Sequence, residues 1–278
     1  MPNPSRRHRS AGQAPKWLLH PTRAPGLERY VRRIEGYVAN ETRADIRRMS
    51  PTAEIPMVFV LGAPFTILDP RTDAVRRRLR HSFVAGLHER PTAIGSTGSV
   101  DCLQVDLTPI GAWRILGIDM SEIAGAVVDL RTLLGAAADE LERRLVDLDD
   151  WMERFLLVED FLLRRIAASS SEHPLSAAAF GAITRSNGDI RVGSLAADFG
   201  CSRKHLTTLF KREIGLAPKA FARVVRFERA LARYRTGEIV SLSELAAACG
   251  YADQSHFNRD CRAFTGQAPS SLLAQASR

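Results

Sequence analysis

The chain has 278 residues, 25% charged and 45% hydrophobic, the balance of a globular protein with a buried core, and its length suits about two domains. It carries 39 Lys/Arg against 31 Asp/Glu, a formal net charge of +8 that favours an anionic partner. No apolar run reaches the roughly 18 residues a membrane-crossing helix needs. The four cysteines (Cys102, Cys201, Cys249, Cys261) form no CxxC pair, so neither a disulfide framework nor a zinc site is expected.

Residues 1–16 are rich in Pro, Arg and Ser, without apolar period, and read as a disordered basic tail. They lack the apolar stretch of a secretory signal, so a cytoplasmic protein is expected. From Leu27 to Val38 the apolar spacing predicts a short helix. Three strands are predicted next, at Ile55–Leu61 (IPMVFVL), Ser82–Leu87 (SFVAGL) and Cys102–Leu107 (CLQVDL), each short and bounded by turn residues. Helical patterns follow over Ser121–Val128 and Thr132–Val146. A longer helix, capped by Asp149 or Asp150, runs through Ile166. Its Trp151, Phe155, Val158, Leu162 and Ile166 form one apolar stripe, read as a core face in preference to a partner face. The expected fold is therefore an α+β N-terminal domain over 17–168, a linker over 169–188, and an all-α domain over 189–278.

The last ninety residues contain a repeat. LAADFGCSRKHLTTLFKREIGLAP (Leu195–Pro218) resembles LAAACGYADQSHFNRDCRAFTGQAP (Leu245–Pro269), with an offset of 50 residues at the first Leu and 51 at the Pro. Each copy reads as a helix-turn-helix. A small Ala (196, 246) admits a second helix, a Gly (200, 250) turns the chain, and Ser202 or Asp253 caps the next helix. Ser241 and Glu244 form a capping box at the opening of the second copy. Between the copies, PKAFARVVRFERALARYR (Pro218–Arg235) predicts one helix with Pro in its first turn, roughly 27 Å long. A spacer of that size suits two helices entering successive major grooves, roughly 34 Å apart.

The second helices carry residue types that bond to bases and phosphates. In the first copy these are Arg203, Lys204, His205, Thr207, Thr208, Lys211 and Arg212. In the second they are Gln254, Ser255, His256, Asn258, Arg259 and Arg262. A solvated face explains one such helix, but not two in the same frame. Charge agrees, since residues 189–278 hold 14 Lys/Arg against 8 Asp/Glu while 17–188 hold 21 against 23.

The strings GYADQSHFNRD and LFKREIGLAP, in this tandem arrangement over about 187–274, resemble the DNA-binding domain of AraC/XylS-type bacterial transcription regulators. That resemblance implies double-stranded DNA and RNA polymerase as partners. LGIDMSEIAGAVVDLRTLLG (Leu116–Gly135) is similar to a subgroup of these regulators whose N-terminal domain has no assigned ligand. Thr208 departs from the family's Arg, Cys261 and Leu272 stand where it prefers aromatics, and Arg191 is a poor helix cap.

The function read from these features is a sequence-specific DNA-binding transcriptional regulator. Its N-terminal domain binds a small-molecule effector, forms a homodimer, or does both. The alternative is a small-molecule-processing enzyme with an appended DNA-binding domain. Cysteine-based alkyl transfer would need a cysteine cluster, and Cys102 is the only cysteine before residue 200. His81 and His88 lack a partner carboxylate at ligand spacing, and the acidic run from Asp139 to Asp150 reads as solvated helix faces. No catalytic residue, metal or cofactor is expected.

Overall fold

The computed structural model describes residues 16–20, 24–236 and 241–271, and the side chains of these except 40–45 and 97. The expected tail, all but Lys16, lies outside the described residues. The N-terminal half is built on eight strands: β1 (Lys16–His20), β2 (Val31–Met49), β3 (Ile55–Val60), β4 (Phe65–Leu68), β5 (Val75–Leu79), β6 (Phe83–Ala85), β7 (Thr92–Leu107) and β8 (Val127–Asp129). They pair antiparallel in the order β1-β2-β7-β3-β6-β8, with β4 joined to β5 and to β7. Ten helices accompany them: α1 (Pro109–Leu116), α2 (Leu130–Leu134), α3 (Ala136–Asp147), α4 (Trp151–Ala168), α5 (Pro174–Arg185), α6 (Val192–Asp198), α7 (Arg203–Ile214), α8 (Pro218–Arg235), α9 (Leu242–Ala248) and α10 (Gln254–Thr265).

The register sorts the sheet residues onto two faces, because side chains alternate along each strand. Ile34 and Met57 both pair with Val105, and all three are buried against the helices. Tyr37 and Val60 both pair with Cys102 on the opposite face, where Val58, Phe83 and Val100 join them in a second core. The first core continues through α1 and α4 into the helical half, so the two halves share one apolar interior.

The α4 stripe is a core face, with Phe155, Val158 and Leu162 buried on the sheet and Trp151 and Ile166 packed at its ends. Asp150 caps α4, accepting from the Glu153 N–H at 3.0 Å. Arg154 closes the turn before it, donating to the carbonyls of Leu145 and Leu148, at and just past the end of α3, at 3.1 and 2.7 Å.

Several predicted elements differ from those observed. The helix expected over Leu27–Val38 is a turn followed by β2. Its apolar spacing also fits a strand, and pairing along both β1 and β7 decides the matter. The helix expected over Ser121–Val128 is a single 3-10 turn (Met120–Glu122) leading into β8. The helix over Thr132–Val146 is broken at Gly135 into α2 and α3. Strands β1, β4 and β5 were not expected, nor was the first half of β7; β5, with the sequence VRRRL, is exposed along most of its length and lacks the apolar alternation that marks a strand. The stretch 169–188 contains α5, whose Ala-rich sequence hides a buried face of Ser176, Ala179 and Ile183.

Candidate nucleic-acid interface and the sheet cavity

Each helix-turn-helix forms for local reasons. Gly200 and Gly250 take φ of +61° and +74°, a left-handed turn that glycine adopts without a Cβ penalty. Ser202 accepts from the His205 N–H at 3.1 Å, and Asp253 accepts from the His256 N–H at 2.6 Å. Ser241 likewise accepts from the Glu244 N–H at 3.1 Å, while Arg191, ahead of α6, makes no side-chain cap bond.

The predicted 18-residue spacer is α8, and it anchors each unit with its own phenylalanine. Phe221 packs 5.8 Å from Phe210 of α7, and Phe227 lies 6.3 Å from Phe257 and 5.2 Å from Phe264 of α10. Two arginines of α8 tie down the second unit. Arg226 donates to the Gly250 carbonyl at 2.9 Å, and Arg223 donates to the buried Asp260 carboxylate at 2.7 Å.

The buried faces of α7 (Leu206, Leu209, Phe210, Glu213, Ile214) and α10 (Phe257, Asp260, Cys261, Phe264) set what is left outside. Opposite them run two matching stripes: Lys204, Thr208 and Lys211 on α7, and Ser255, Arg259 and Arg262 on α10. All six are exposed, and each pair is 51 residues apart. His205 and Gln254 are also exposed, beside the stripes, and Thr207 is half-buried. The remaining expected residues are turned elsewhere. Arg203 folds back over Gly193 of α6. Arg212 pairs with buried Glu213 at 3.1 Å and lines a cleft with Trp113, Asp119 and Arg165. His256 stands edge-on to Tyr251 at 5.2 Å, and the Oδ1 of half-buried Asn258 lies inside the fold.

Helices α7 and α8 touch the N-terminal half directly. The end of α7 packs on α1 and on the 3-10 turn, and Glu213 accepts from the His173 N–H that opens α5, at 3.1 Å. Arg223 reaches Glu89 at 3.1 Å. The Glu228 carboxylate of α8 accepts from the Ala53 backbone N–H, and burial raises its pKa to about 7.

On its non-helical face the sheet encloses a cavity of about 420 Å³, within the range of small-molecule sites. Tyr37, Val58, Phe65, Phe83, Ile94 and Cys102 form its apolar part, and Arg33, Glu35, Glu54 and His88 line its polar end. Sequence reasoning passed over nearly all of these residues, although the alternation Arg33, Glu35, Tyr37 on one strand was available as a signal. Burial and the nearby Asp101 push the Cys102 thiol up to about 12, which keeps it protonated. Among the described residues no group of three His, Cys, Asp or Glu side chains is placed to hold a metal ion, and no helix is long and apolar enough to cross a membrane.

Residues 195–275 match a helix-turn-helix domain family, and residues 21–129 match a domain of unknown function, DUF6597. The HTH-type transcriptional activator RhaS of Pectobacterium carotovorum subsp. carotovorum (strain PC1) is 32% identical over 88 residues, which cover 32% of this chain and 31% of the relative. The chain thus spans about a third of the curated relative it matches. Among solved structures, ToxT from Vibrio cholerae O395 aligns with 90% of this chain and 99% of its own, at 11% identity and a TM-score of 0.44. A transcriptional regulator of the AraC-type DNA-binding group from Chromobacterium violaceum aligns with 38% of this chain and 94% of its own, at 24% identity and a TM-score of 0.34. With two capped helix-turn-helix units in one register and a family match running from the first into the second, residues 195–275 form a helix-turn-helix domain similar to that of transcriptional activators such as RhaS.

Proposed function

We propose that the chain is a sequence-specific DNA-binding transcriptional regulator that reads two successive major grooves with α7 and α10. The observation that carries this reading is the pair of matching exposed stripes, Lys204/Thr208/Lys211 and Ser255/Arg259/Arg262, held by one spacer helix. Arg and Lys suit guanine edges and phosphates, and Ser and Thr suit either. Of the other expected contacts, His205, Thr207 and Gln254 lie beside the stripes and serve the phosphates at their margins, while Arg203, Arg212, His256 and Asn258 are engaged within the fold. The N-terminal unit acts as sensor, with the sheet cavity taking a small-molecule effector. Its state reaches the DNA-binding unit through contacts such as Ala53–Glu228. Self-association attaches to the outer face of α4, where Met152, Leu156 and Leu163 stand exposed, and RNA polymerase is the partner the family resemblance supplies.

The test is a gel-shift titration of the full chain on DNA from upstream of its own gene, with excess nonspecific competitor. A shift that survives competitor and weakens steeply between 50 and 200 mM salt, by about 10³-fold if six or more phosphates are neutralised, supports the reading. No shift from a folded protein at about 50 mM salt defeats it, whereas turnover of a small molecule with no DNA binding would favour the enzyme alternative.

A further inference from the structure

The polar end of the sheet cavity is not neutral. Arg33 donates to Asp106 at 2.6 Å and pairs with Glu35 at 3.1 Å, so one guanidinium serves two carboxylates. Glu54 adds a third; Asp106 and Arg32 both stand just outside the lining, so the count at this end is three carboxylates to two guanidiniums. The other cavity arginine, Arg47, bonds the Tyr37 hydroxyl and stacks 4.6 Å from its ring.

Uncharged groups at the same end add acceptors. Gln104 gives its amide N–H to Asp106 at 2.7 Å, which turns its own carbonyl outward from that bond. His88 lies 2.6 Å from the Arg90 carbonyl through Nδ1, so Nδ1 carries the proton and Nε2 keeps a lone pair. Burial lowers the His88 pKa, which keeps the ring uncharged. Burial also raises the carboxyls of Glu35 and Glu54, with Asp106 adding repulsion to both. A ligand that brings positive charge and N–H donors relieves that crowding, and one that brings a carboxylate increases it.

Resting on the reading of the N-terminal unit as a sensor, we propose that the cavity takes an organic cation. Its apolar body lies against Tyr37, Val58, Phe65 and Phe83, and its ammonium or amidinium group lies against Glu35 and Glu54. The location gives the charge a consequence. Thr52 and Glu54 line the cavity, while Ala53 between them is bonded to Glu228 on the spacer helix. A cation drawn to Glu54 therefore acts on the loop that α8 grips.

The test uses the full chain and three probes with one skeleton: 1-naphthylmethylamine, 1-naphthylmethanol and 1-naphthylacetate. Affinities are read by titration calorimetry, with folding of every variant checked by circular dichroism. The expected order is amine, then alcohol, then carboxylate, with the amine at least tenfold tighter than the alcohol. Glu54→Gln or Glu35→Gln should cut the amine's advantage at least fivefold and leave the alcohol unchanged. Val58→Trp, which fills the cavity, should abolish binding of all three. A carboxylate that binds as well as the amine, or an amine advantage untouched in both Gln variants, overturns the ligand class and leaves the sensor reading standing. Binding that persists in a folded Val58→Trp protein overturns the placement. Failure of all three probes at millimolar concentration removes both the ligand class and the sensor reading.

Discussion

At the residue scale, the same charge does different work depending on what lies behind it. Lys204 and Arg259 stand on exposed stripes with no ion pair among the described residues, so their heads are available to a ligand. Arg223 lies on the spacer helix α8. In the fold its guanidinium lies 5.0 Å from the Phe264 ring and holds Asp260, which is 3% exposed. Three alanine variants separate these roles. Arg259→Ala and Lys204→Ala should each cost about 1–3 kcal/mol of binding on the preferred site and relax base preference, with thermal stability unchanged. Arg223→Ala strands a buried carboxylate and should lower folding stability by roughly 3 kcal/mol, with DNA binding falling through loss of fold. Equal losses on specific and random DNA for all three, measured by competition gel shift, would remove the assignment of the stripes.

At the element scale, α4 shows how one helix serves two surfaces. Its inner stripe of Phe155, Val158 and Leu162 closes the main core, and its outer stripe of Met152, Leu156 and Leu163 faces outward. The two stripes make opposite predictions. Val158→Glu places an unpaired charge in a site with no exposure and should cost more than about 3 kcal/mol, seen as a collapsed melting transition. Leu156→Glu, on a residue that is 54% exposed, should leave the melting transition within about 0.5 kcal/mol of the parent. If light scattering shows the parent to be a dimer, the same substitution should give a folded monomer; a dimer unmoved by it assigns self-association to another face.

At the scale of the whole molecule, the two halves share a core, and the contacts between them contain titratable groups. Glu228 is the clearest case. Its carboxyl releases its proton near 4.5 in an unfolded chain and near 7 in the fold, where burial beside Glu54 disfavours the charge. Between those values the native state binds more protons, so stability should fall as pH rises from about 5 to 8 and level off above that. Glu228→Gln should flatten this part of the melting-temperature profile and raise stability at pH 8 relative to the parent. An unchanged slope in the variant would mean that another interdomain group carries the titration.

The helical half was legible in the sequence because its signals are local. A cap such as Ser202 or Asp253, a glycine at the turn, and a buried stripe at helical spacing are each complete within a dozen residues, and the duplication states them twice. The stripe on α4 was legible for the same reason. The sheet half was not, because a strand's partners lie far away in the chain: Ile34 and Met57 acquire their face only by pairing with Val105. Helical spacing between Leu27 and Val38 therefore misled, since nothing local outweighs the long pairing of β2 with β7. The cavity has the same origin. Glu35, Glu54 and His88 are separated by tens of residues, and only the antiparallel register brings them to one end of one pocket. Sequence thus determined a tandem helix-turn-helix unit with a basic surface. Tertiary structure alone decided which of those basic residues face outward, and assembled the sheet cavity from strands far apart in the chain.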